Sequence, residues 1–248
     1  MARHLSSGAR LEIFETLDST SAEVKRRAAA GENGPLWIQA LRQTAGYGRR
    51  GSAWSQSDGD LAASLLFTVS SSTDRGGEIA QLSFVAAVAL ADALETIAPH
   101  TDFLLKWPND VYVGDAKLSG ILMELLAHNG NAQLSFGVGV NILSKPEIGD
   151  QPTARLFDCV EPAPTAEAML TAIDFAFAER RRQWVAHGFD PIRSAWMARG
   201  YGIGAKARIT GGGADVEGEI VGLDGRGALV LRTSGGETAV SAGSLRLI

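Results

Sequence analysis

Two lysines that stand beside apolar segments constrain this chain more than any other feature. Residues 103–105 (Phe-Leu-Leu) predict a short buried strand, and Lys106 follows it directly. Pro108 fixes its own backbone and keeps the residue before it extended, so the chain leaves this strand at a rigid corner. Lys117 opens a second apolar segment, residues 117–122. Each lysine alone fits a side chain that buries its stem and keeps its ammonium group in water, but lysines at strand ends also suit the binding of an anion.

The glycine-rich loop, residues 43–54 (QTAGYGRRGSAW), is a second feature that suits an anion. Its three glycines let consecutive backbone N–H groups turn toward a ligand, and its two arginines offer planar guanidinium groups that match phosphate or carboxylate oxygens. Trp54 adds an aromatic wall. A hairpin loop with solvated arginines fits the composition of this segment equally well.

Residues 46–51 also match the Gly-x-Gly-x-x-Gly fingerprint of dinucleotide-binding folds. That fingerprint opens a helix after a strand, whereas residues 52–60 are rich in Ser, Gly and Asp, and residues 61–69 resume as a strand. The match is therefore an accident of spacing. The chain contains no Gly-x-x-x-x-Gly-Lys-Ser/Thr phosphate loop either, so both common nucleotide cradles are excluded.

The remaining segments predict a mixed α/β sheet followed by a small β barrel. Residues 78–97 are apolar around most of a helical circumference, which is typical of a central helix covered by other structure. Three consecutive arginines at residues 180–182 predict the solvated face of a later helix. The other predicted helices are residues 21–30, 165–187 and 191–199, and the short strands of the barrel are residues 205–210, 216–223 and 228–233.

Four motifs, in this order, resemble the catalytic domain of the biotin–protein ligase family, the biotin–[acetyl-CoA-carboxylase] ligases. They are the glycine-rich loop, Lys-Trp-Pro-Asn-Asp at residues 106–110, Lys-Leu-Ser-Gly-Ile-Leu at residues 117–122 and Gly-Val-Gly-Val-Asn at residues 137–141. Similar motifs follow one another at similar spacing in the family, and the resemblance runs over nearly the full chain. Residues 18–21 (Asp-Ser-Thr-Ser) are similar to the family's Asp-Ser-Thr-Asn, and residues 244–246 resemble the end of its small β domain.

The resemblance implies an α+β fold in which helices pack on a mixed sheet, the class II synthetase-like core of biotin and lipoate ligases, followed by a small SH3-like β barrel. Residues 1–200 would form the catalytic domain that binds biotin and ATP, and residues 201–248 the C-terminal SH3-like β domain. Few residues precede the first predicted strand, which leaves no room for the DNA-binding domain that some family members carry. With a net charge of -5 as well, we expect no DNA partner.

For the reaction, the resemblance implies an ATP-dependent ligase that activates biotin as biotinyl-5′-AMP and transfers it to a specific lysine of a biotin carboxyl carrier domain. ATP and biotin would be substrates, and Mg²⁺ would accompany them. The first step brings two anions together, so lysines, arginines and backbone amides suit it, and no covalent protein nucleophile is needed. The sequence contains no recognisable carboxylate cluster, so the Mg²⁺ ion is expected to sit largely on phosphates and water.

Matching the motifs residue by residue, the resemblance gives catalytic roles to Lys117 and Arg49. Lys117 would stabilise the negative charge that gathers between carboxylate and phosphate, and Arg49 and Arg50 would hold the phosphate. The residues that would bind biotin or biotinyl-AMP are Ser19, Thr20, Ser21, Gln43, Tyr47, Gly48, Arg49, Lys117 and Gly120, and those that would bind the nucleotide are Arg50, Trp54, Asn109, Asn141 and Arg246.

Three positions depart from the family pattern. Tyr47 and Ser52 replace arginines, and Ser21 replaces an asparagine, so the glycine-rich loop carries less positive charge and one hydrogen bond to biotin is not carried over from the family pattern. Ser19 and Thr20 also suit a structural role, because either side chain can cap the helix that follows.

The composition suits a soluble globular protein with one sizeable core and a small appended domain: 248 residues, 45% of them hydrophobic. Cys159 is the only cysteine, which excludes an internal disulfide and fits reducing surroundings. Residues 1–15 lack a basic segment that leads into a continuous apolar run, so we expect no signal peptide, no membrane partner and a cytoplasmic location. The four histidines lack the spacing of a zinc site. Formation of a homodimer and the identity of the carrier stay open.

Two other functions also stay open. A lipoate ligase or transferase on the related core would differ in the pocket for the tail of the carboxylate, and fold analogy alone does not separate it from a biotin ligase. A non-catalytic protein could use the β barrel to bind another protein or nucleic acid, with the glycine-rich loop degenerate at Tyr47 and Ser52. An adenylation assay with biotin and with lipoate separates the three.

Overall fold

The computed structural model describes residues 3–70, 76–129, 131–147, 149, 151–213 and 215–248. An eight-stranded mixed sheet forms its centre, with the strands β1 (Arg3–His4), β2 (Arg10–Leu17), β3 (Leu36–Gln43), β4 (Leu61–Ser70), β5 (Phe103–Lys106), β6 (Asp110–Val113), β7 (Ala116–Asn129) and β8 (Asn131–Val140). Their spatial order is β1-β2-β3-β4-β8-β7-β6-β5. The pair β2 and β3 is parallel, and the other neighbouring pairs are antiparallel.

Helices cover both faces of this sheet. Those in the described part of the chain are α1 (Thr20–Ala29), α2 (Leu82–Ile97), α3 (Ala166–His187) and α4 (Asp190–Met197), with short 3₁₀ helices at Arg49–Gly51, Gly76–Gln81 and Leu156–Asp158. Successive residues of β3 point to opposite faces, so Leu36 and Ile38 pack with Val24 of α1, while Trp37 belongs to the main core. Helix α1 therefore covers one face, and the main core lies between the other face and α2, α3 and α4.

Helix α2 is apolar on all sides, which fits its position between α3, α4 and the sheet. The prediction of a central helix over residues 78–97 is confirmed, although the α-helix begins at Leu82, after the 3₁₀ helix Gly76–Gln81. By length and composition the segment Glu78–Ile97 could cross a membrane, but 67% of its most apolar stretch is buried inside the protein. We therefore interpret it as a core helix.

A second, smaller sheet follows, and all its neighbouring strands are antiparallel. Its strands are β9 (Lys206–Thr210), β10 (Val216–Leu223), β11 (Leu229–Thr233), β12 (Gly236–Val240) and β13 (Ser244–Leu247), in the spatial order β12-β11-β10-β9-β13. The sequence pattern predicted the first three of these strands and missed β12, which is largely exposed and therefore lacks an alternation of apolar residues. The predicted fold class, α+β with a mixed sheet followed by a small β domain, is confirmed. The domain boundary between residues 200 and 201 stays a prediction.

The segment between the two sheets runs along the outer strand β5. Leu105 donates its backbone N–H to the Arg199 carbonyl, and Tyr201 donates its own to the Leu105 carbonyl. The Tyr201 hydroxyl also donates to Asp115 at 2.8 Å, in the turn between β6 and β7. These contacts fix the C-terminal sheet beside the strands that carry Lys106 and Lys117.

The prediction for the three arginines at residues 180–182 is wrong for two of them. Arg180 donates to Asp92 of α2 at 3.0 Å, and Arg181 donates to the Thr68 carbonyl of β4 at 3.0 Å. Only Arg182, whose side chain is 68% exposed, has the solvated position that was expected for all three. The reason is that α3 is buried over a wide arc, so a run of three residues on it cannot stay on one face.

Candidate active site

A cavity of about 930 Å³ lies where the central sheet, the glycine-rich loop and the C-terminal sheet meet. Strands β4, β7 and β8 form its floor, and the start of α1, residues 106–110 and strand β13 form its sides. Ser19 and Asn141, two of the predicted site residues, do not line it. The others do: Thr20, Ser21, Gln43, Tyr47, Gly48, Arg49, Arg50, Trp54, Asn109, Lys117, Gly120 and Arg246.

Glycines on β7 and β8 let the Trp54 ring lie flat on the floor of the cavity. A Cβ atom on Gly139 would lie 2.3 Å from Trp54 ring carbons, and one on Gly120 would lie 3.3 Å from the ring. A contact as short as the first is not tolerated, so Gly139 has to be glycine for the ring to lie here. The sequence predicted a close approach at Gly120, and the approaching group is the Trp54 ring. Its Nε1 is buried without a hydrogen-bond partner among the described residues.

A cluster of hydroxyl groups lies at the start of α1. Thr20 Oγ1 and Ser21 Oγ lie 2.9 and 3.1 Å from Ser64 Oγ of β4. Gln43, at the end of β3, accepts a hydrogen bond from the Thr20 backbone N–H at 2.8 Å. Gly137 leaves space for this cluster, because a Cβ atom there would lie 2.9 Å from Ser21 Oγ. The cluster offers donors and acceptors to a polar ligand group in an otherwise apolar part of the sheet.

Both lysines of the two strand-end motifs reach the cavity, and each has a partner. Lys117 Nζ lies 2.8 Å from Asp110 Oδ1. Lys106 Nζ donates to the Tyr112 hydroxyl at 3.0 Å and lies 4.7 Å from the centre of the Tyr112 ring. Burial lowers the pKa of Lys106, although the Asp110 charge opposes this effect. The cavity therefore places two ammonium groups around one carboxylate.

The Tyr112 hydroxyl is the centre of a small hydrogen-bonded group of side chains at the edge of the cavity. It accepts from Lys106 and from Gln151, and burial raises the pKa of Tyr112. The neighbouring Tyr201 ring lies 5.1 Å from the Tyr112 ring, centre to centre. Burial, followed by the hydrogen bond to Asp115, raises the pKa of Tyr201 to about 12. Both phenols therefore stay protonated at neutral pH.

The two arginines of the glycine-rich loop point in different directions. Arg49 Nη1 donates to Asn109 Oδ1 at 3.2 Å, so its guanidinium faces the turn that follows Lys106. Burial lowers the pKa of Arg49, and the adjacent Arg50 charge acts in the same direction. Arg50 instead donates from Nη2 to the Gly211 carbonyl of the C-terminal sheet at 2.7 Å. Arg49 and Arg50, which were both predicted to hold the phosphate, therefore differ in position: Arg49 faces the cavity, and Arg50 lies at its rim.

Tyr47, where the family pattern has an arginine, has a cation beside it. Lys25 of α1 lies with its Nζ 5.2 Å from the centre of the Tyr47 ring and 2.9 Å from Glu124 Oε1. The hydrogen bond with Glu124 raises the pKa of Lys25 against the effect of burial. The ammonium group beside Tyr47 thus comes from another segment of the chain, and it is paired with a carboxylate.

Ser19 and Asn141 lie behind the cavity wall. Ser19 is buried at the N-cap position, directly before α1, but its side chain makes no capping hydrogen bond to the helix. The alternative prediction of a side-chain cap is therefore wrong for Ser19. Asn141 donates to the Lys117 carbonyl at 3.4 Å and to the Ala154 carbonyl at 3.1 Å. Asn141 thus fixes the backbone of the residue whose side chain enters the cavity.

The structure adds cavity residues that the sequence prediction had not assigned to the site. Lys106 and Asp110 belong to one of the motifs found in the sequence. They lie close to Lys117 because β6 pairs with β7. Ser64 had a sequence signal, since it is a polar residue in the apolar stretch of residues 61–67. Tyr112 and Gln151 had none, because Gln151 comes from an irregular segment whose course the sequence does not indicate.

Among the described residues, no group of three or more His, Cys, Asp or Glu side chains is placed to hold a metal ion. Two carboxylates line the cavity, and both have partners: Asp110 is paired with Lys117, and Asp115 accepts a hydrogen bond from Tyr201.

Comparisons with known proteins agree with the motifs. Residues 13–141 match the biotin/lipoate A/B protein ligase family, and residues 203–245 match the biotin protein ligase C-terminal domain. The chain is 37% identical to a biotin–[acetyl-CoA-carboxylase] ligase of Paracoccus denitrificans over 234 residues, which cover 91% of this chain and 95% of that protein. It is 30% identical to the enzyme of the same name from Mycobacterium tuberculosis, over 95% of this chain and 88% of that one.

A solved structure has the same architecture. It is the biotin protein ligase of Aquifex aeolicus in complex with biotin and ATP, which superposes on this chain with a TM-score of 0.81 at 25% identity. The superposition covers 96% of this chain and 98% of the other. The similarity therefore extends over both sheets.

Proposed function

This chain belongs to the biotin/lipoate A/B protein ligase family, and we propose that it activates biotin with ATP as biotinyl-5′-AMP and then transfers the biotinyl group to a lysine of a biotin carboxyl carrier domain. One observation carries the proposal. A single cavity holds a cluster of hydroxyl groups at one end and the Lys117 ammonium and Arg49 guanidinium groups at the other. Such an arrangement suits a ligand with a polar, uncharged head and a carboxylate tail, which describes biotin.

The head of biotin is a ureido ring, which both donates and accepts hydrogen bonds. Thr20, Ser21 and Ser64 already exchange hydrogen bonds among themselves, so they can reorient their hydroxyl groups toward such a ring. Gln43 holds the backbone of this cluster. The apolar chain of biotin would then pass along the Trp54 ring, which covers Gly120 and Gly139 on the floor.

In the first step the biotin carboxylate attacks the α-phosphorus of ATP, the bond to the β-phosphate oxygen breaks, and pyrophosphate leaves. The reaction brings two anions together, so cations fixed beforehand lower its barrier. The ion pair with Asp110 holds the Lys117 ammonium group in place, and the hydrogen bond to Asn109 orients the Arg49 guanidinium. We propose that Lys117 stabilises the negative charge shared by carboxylate and phosphate, and that Arg49 holds the phosphate.

In the second step the amine of the acceptor lysine attacks the acyl carbon of biotinyl-5′-AMP, and AMP leaves. The acceptor would be the carrier domain of a biotin-dependent carboxylase, as the names of the relatives suggest.

We propose that Mg²⁺ enters with ATP on its phosphates, since the described residues offer no metal site of their own. A cytoplasmic location is part of the same proposal, and it fits the single, half-buried Cys159. A homodimer stays a prediction from the sequence.

The first experiment is the release of pyrophosphate from ATP by the purified chain, with biotin, with lipoate and without either acid. We expect release with biotin alone, followed by transfer of labelled biotin to a purified carrier domain. Release with lipoate and not with biotin would move the chain to the lipoate branch of the family. Release with neither acid would favour a protein that binds and does not catalyse.

A further inference from the structure

Arg50 has a backbone conformation that few residues other than glycine adopt. Its φ angle is 55°, in the left-handed region, and it is the one non-glycine residue with a positive φ in the described part of the chain. This turn sends the side chains of Arg49 and Arg50 to opposite sides of the glycine-rich loop. A strained conformation of this kind persists only when its surroundings hold it in place.

The surroundings that hold Arg50 belong to the C-terminal sheet. Arg50 Nη2 donates to the Gly211 carbonyl at 2.7 Å, just after β9. Gly211 also receives the guanidinium face, because a Cβ atom at Gly211 would lie 2.7 Å from Arg50 Nη1 and 3.4 Å from Cζ. Residue 211 has a φ angle of 76°. A glycine there satisfies the turn and leaves room for the arginine at the same time.

We propose that Arg50 is a positioning residue that fastens the glycine-rich loop to the C-terminal sheet through Gly211, and that this contact keeps Arg49 facing the cavity. The inference rests on the proposed function for its consequence in catalysis. The sequence had assigned Arg50 to the nucleotide, and the geometry gives its guanidinium a different partner. Arg50 forms a kink directly after Arg49 in the chain, so a change in the backbone conformation of Arg50 displaces Arg49 as well.

The experiment compares Arg50→Gln and Gly211→Ala, which break the contact from its two ends, with the control Gly204→Ala. Gly204 has a φ angle of 80°, close to that of Gly211, but a Cβ atom there would meet nothing within 4 Å. The control therefore carries the same backbone strain without touching Arg50. Folding of each variant is checked by its urea midpoint, and the effects of Gly211→Ala are read relative to Gly204→Ala.

Hydrogen exchange in the absence of substrates tests the contact independently of any activity. The reporters are the amides of Gly48, Ser52 and Trp54, whose hydrogen bonds to Ser52, Arg49 and Gly46 hold the loop together. We expect these amides to exchange about fivefold faster or more in Arg50→Gln and in Gly211→Ala, as for loss of one exposed hydrogen bond from a charged donor. Gly204→Ala should exchange like the wild type. Unchanged exchange in both test variants would overturn the proposal, whatever the chain catalyses.

The catalytic consequence is tested by the rate at which biotinyl-5′-AMP escapes and by KM for ATP. If Arg50 positions the loop, both test variants accelerate the escape of the intermediate to a similar extent, and the double variant is no worse than either single one. If Arg50 binds phosphate directly, Arg50→Gln alone raises KM for ATP, Gly211→Ala has no effect, and the proposal fails. A wild-type chain without adenylation would refute the proposed function, while the exchange data would still decide on the contact.

Discussion

Lys117 Nζ lies 2.8 Å from Asp110 Oδ1, and both side chains are less than one-fifth exposed. The pair joins the two motifs that carry the site, because Asp110 ends the turn after Lys106 and Lys117 opens the apolar stretch of β7. Pairing of β6 with β7 brings the two residues together. The ammonium group is thus oriented at the cavity wall before any substrate binds, which is the condition for electrostatic stabilisation of a transition state.

The first prediction concerns Lys117→Met, which keeps most of the aliphatic stem and removes the ammonium group. We expect the rate of biotinyl-5′-AMP formation to fall by about 100-fold or more, because the charge on carboxylate and phosphate loses its nearest fixed cation. Single-turnover measurements with labelled ATP determine this rate. A variant that forms the adenylate at the normal rate would exclude Lys117 from the chemistry.

Stability provides the control for this variant. Lys117→Met leaves Asp110 largely buried without its partner, so the free energy of unfolding should fall by about 1–3 kcal/mol. Adding Asp110→Asn removes the unpaired charge and should recover most of that loss without recovering the rate. If the rate returned together with the stability, the effect of Lys117→Met would be one of folding.

Arg49→Ala is the second prediction. The variant should release biotinyl-5′-AMP into solution faster, by about tenfold or more, because the guanidinium that faces the phosphate end of the cavity is lost. The measurement is biotinylation of bystander lysines on an unrelated protein. Arg42→Ala is the matched control, since Arg42 is 63% exposed and pairs with Asp58 outside the cavity. Equal leakage from the two variants would mean that another group retains the intermediate.

The sequence predicted those parts of the site that depend on local chemistry. Lys117 and Arg49 were assigned from their places in motifs that resemble those of the family, and the loop glycines from the close backbone approach that glycine allows. The apolar periodicity of residues 78–97 likewise predicted the buried helix α2 correctly. Each of these features is decided within a stretch of a few residues.

What the sequence could not indicate are contacts between distant segments. The contact of Arg50 with Gly211 spans 161 positions, and that of Arg181 with Thr68 spans 113, so neither leaves a local pattern. The same reason explains why the sequence did not indicate the hydrogen bonds from Asn141 to the Lys117 and Ala154 carbonyls. A polar residue in a motif can serve the ligand or the backbone behind it, and only the tertiary structure distinguishes the two.

The third prediction tests the position of the Trp54 ring on the floor of the cavity. Gly139→Ala would place a Cβ atom 2.3 Å from the present position of the ring, so the ring has to move away from the floor. We expect KM for ATP to rise by about tenfold, as for loss of one aromatic stacking surface. The control is Gly225→Ala, where an added Cβ meets nothing within 4 Å. An unchanged KM in Gly139→Ala would separate Trp54 from nucleotide binding.

The last prediction concerns stability at low pH and the residue before α1. Asp18 accepts two hydrogen bonds from Arg26, each 2.8 Å long, and one from the Ser19 backbone N–H at 2.7 Å. The Arg26 contact, with the Ser19 hydrogen bond, lowers the pKa of Asp18 from 3.8 to about 2. The folded state therefore binds this proton less readily than the unfolded state, so the stabilisation is present above about pH 4 and is lost as the pH falls toward 2.

Asp18→Asn isolates this contribution. Because the Asp18 side chain is 48% exposed, solvent screens the ion pair, and the free energy of unfolding should fall by only about 0.5–1 kcal/mol at neutral pH. The difference between wild type and variant should shrink as the pH falls from about 4 through about 2, because the Asp18 carboxylate becomes protonated over this range. Urea unfolding at several pH values measures it, with Asp58→Asn as a control for an exposed pair. A difference that stays constant with pH would show that the carboxylate charge does not contribute, and that the hydrogen bond to Ser19 alone stabilises the start of α1.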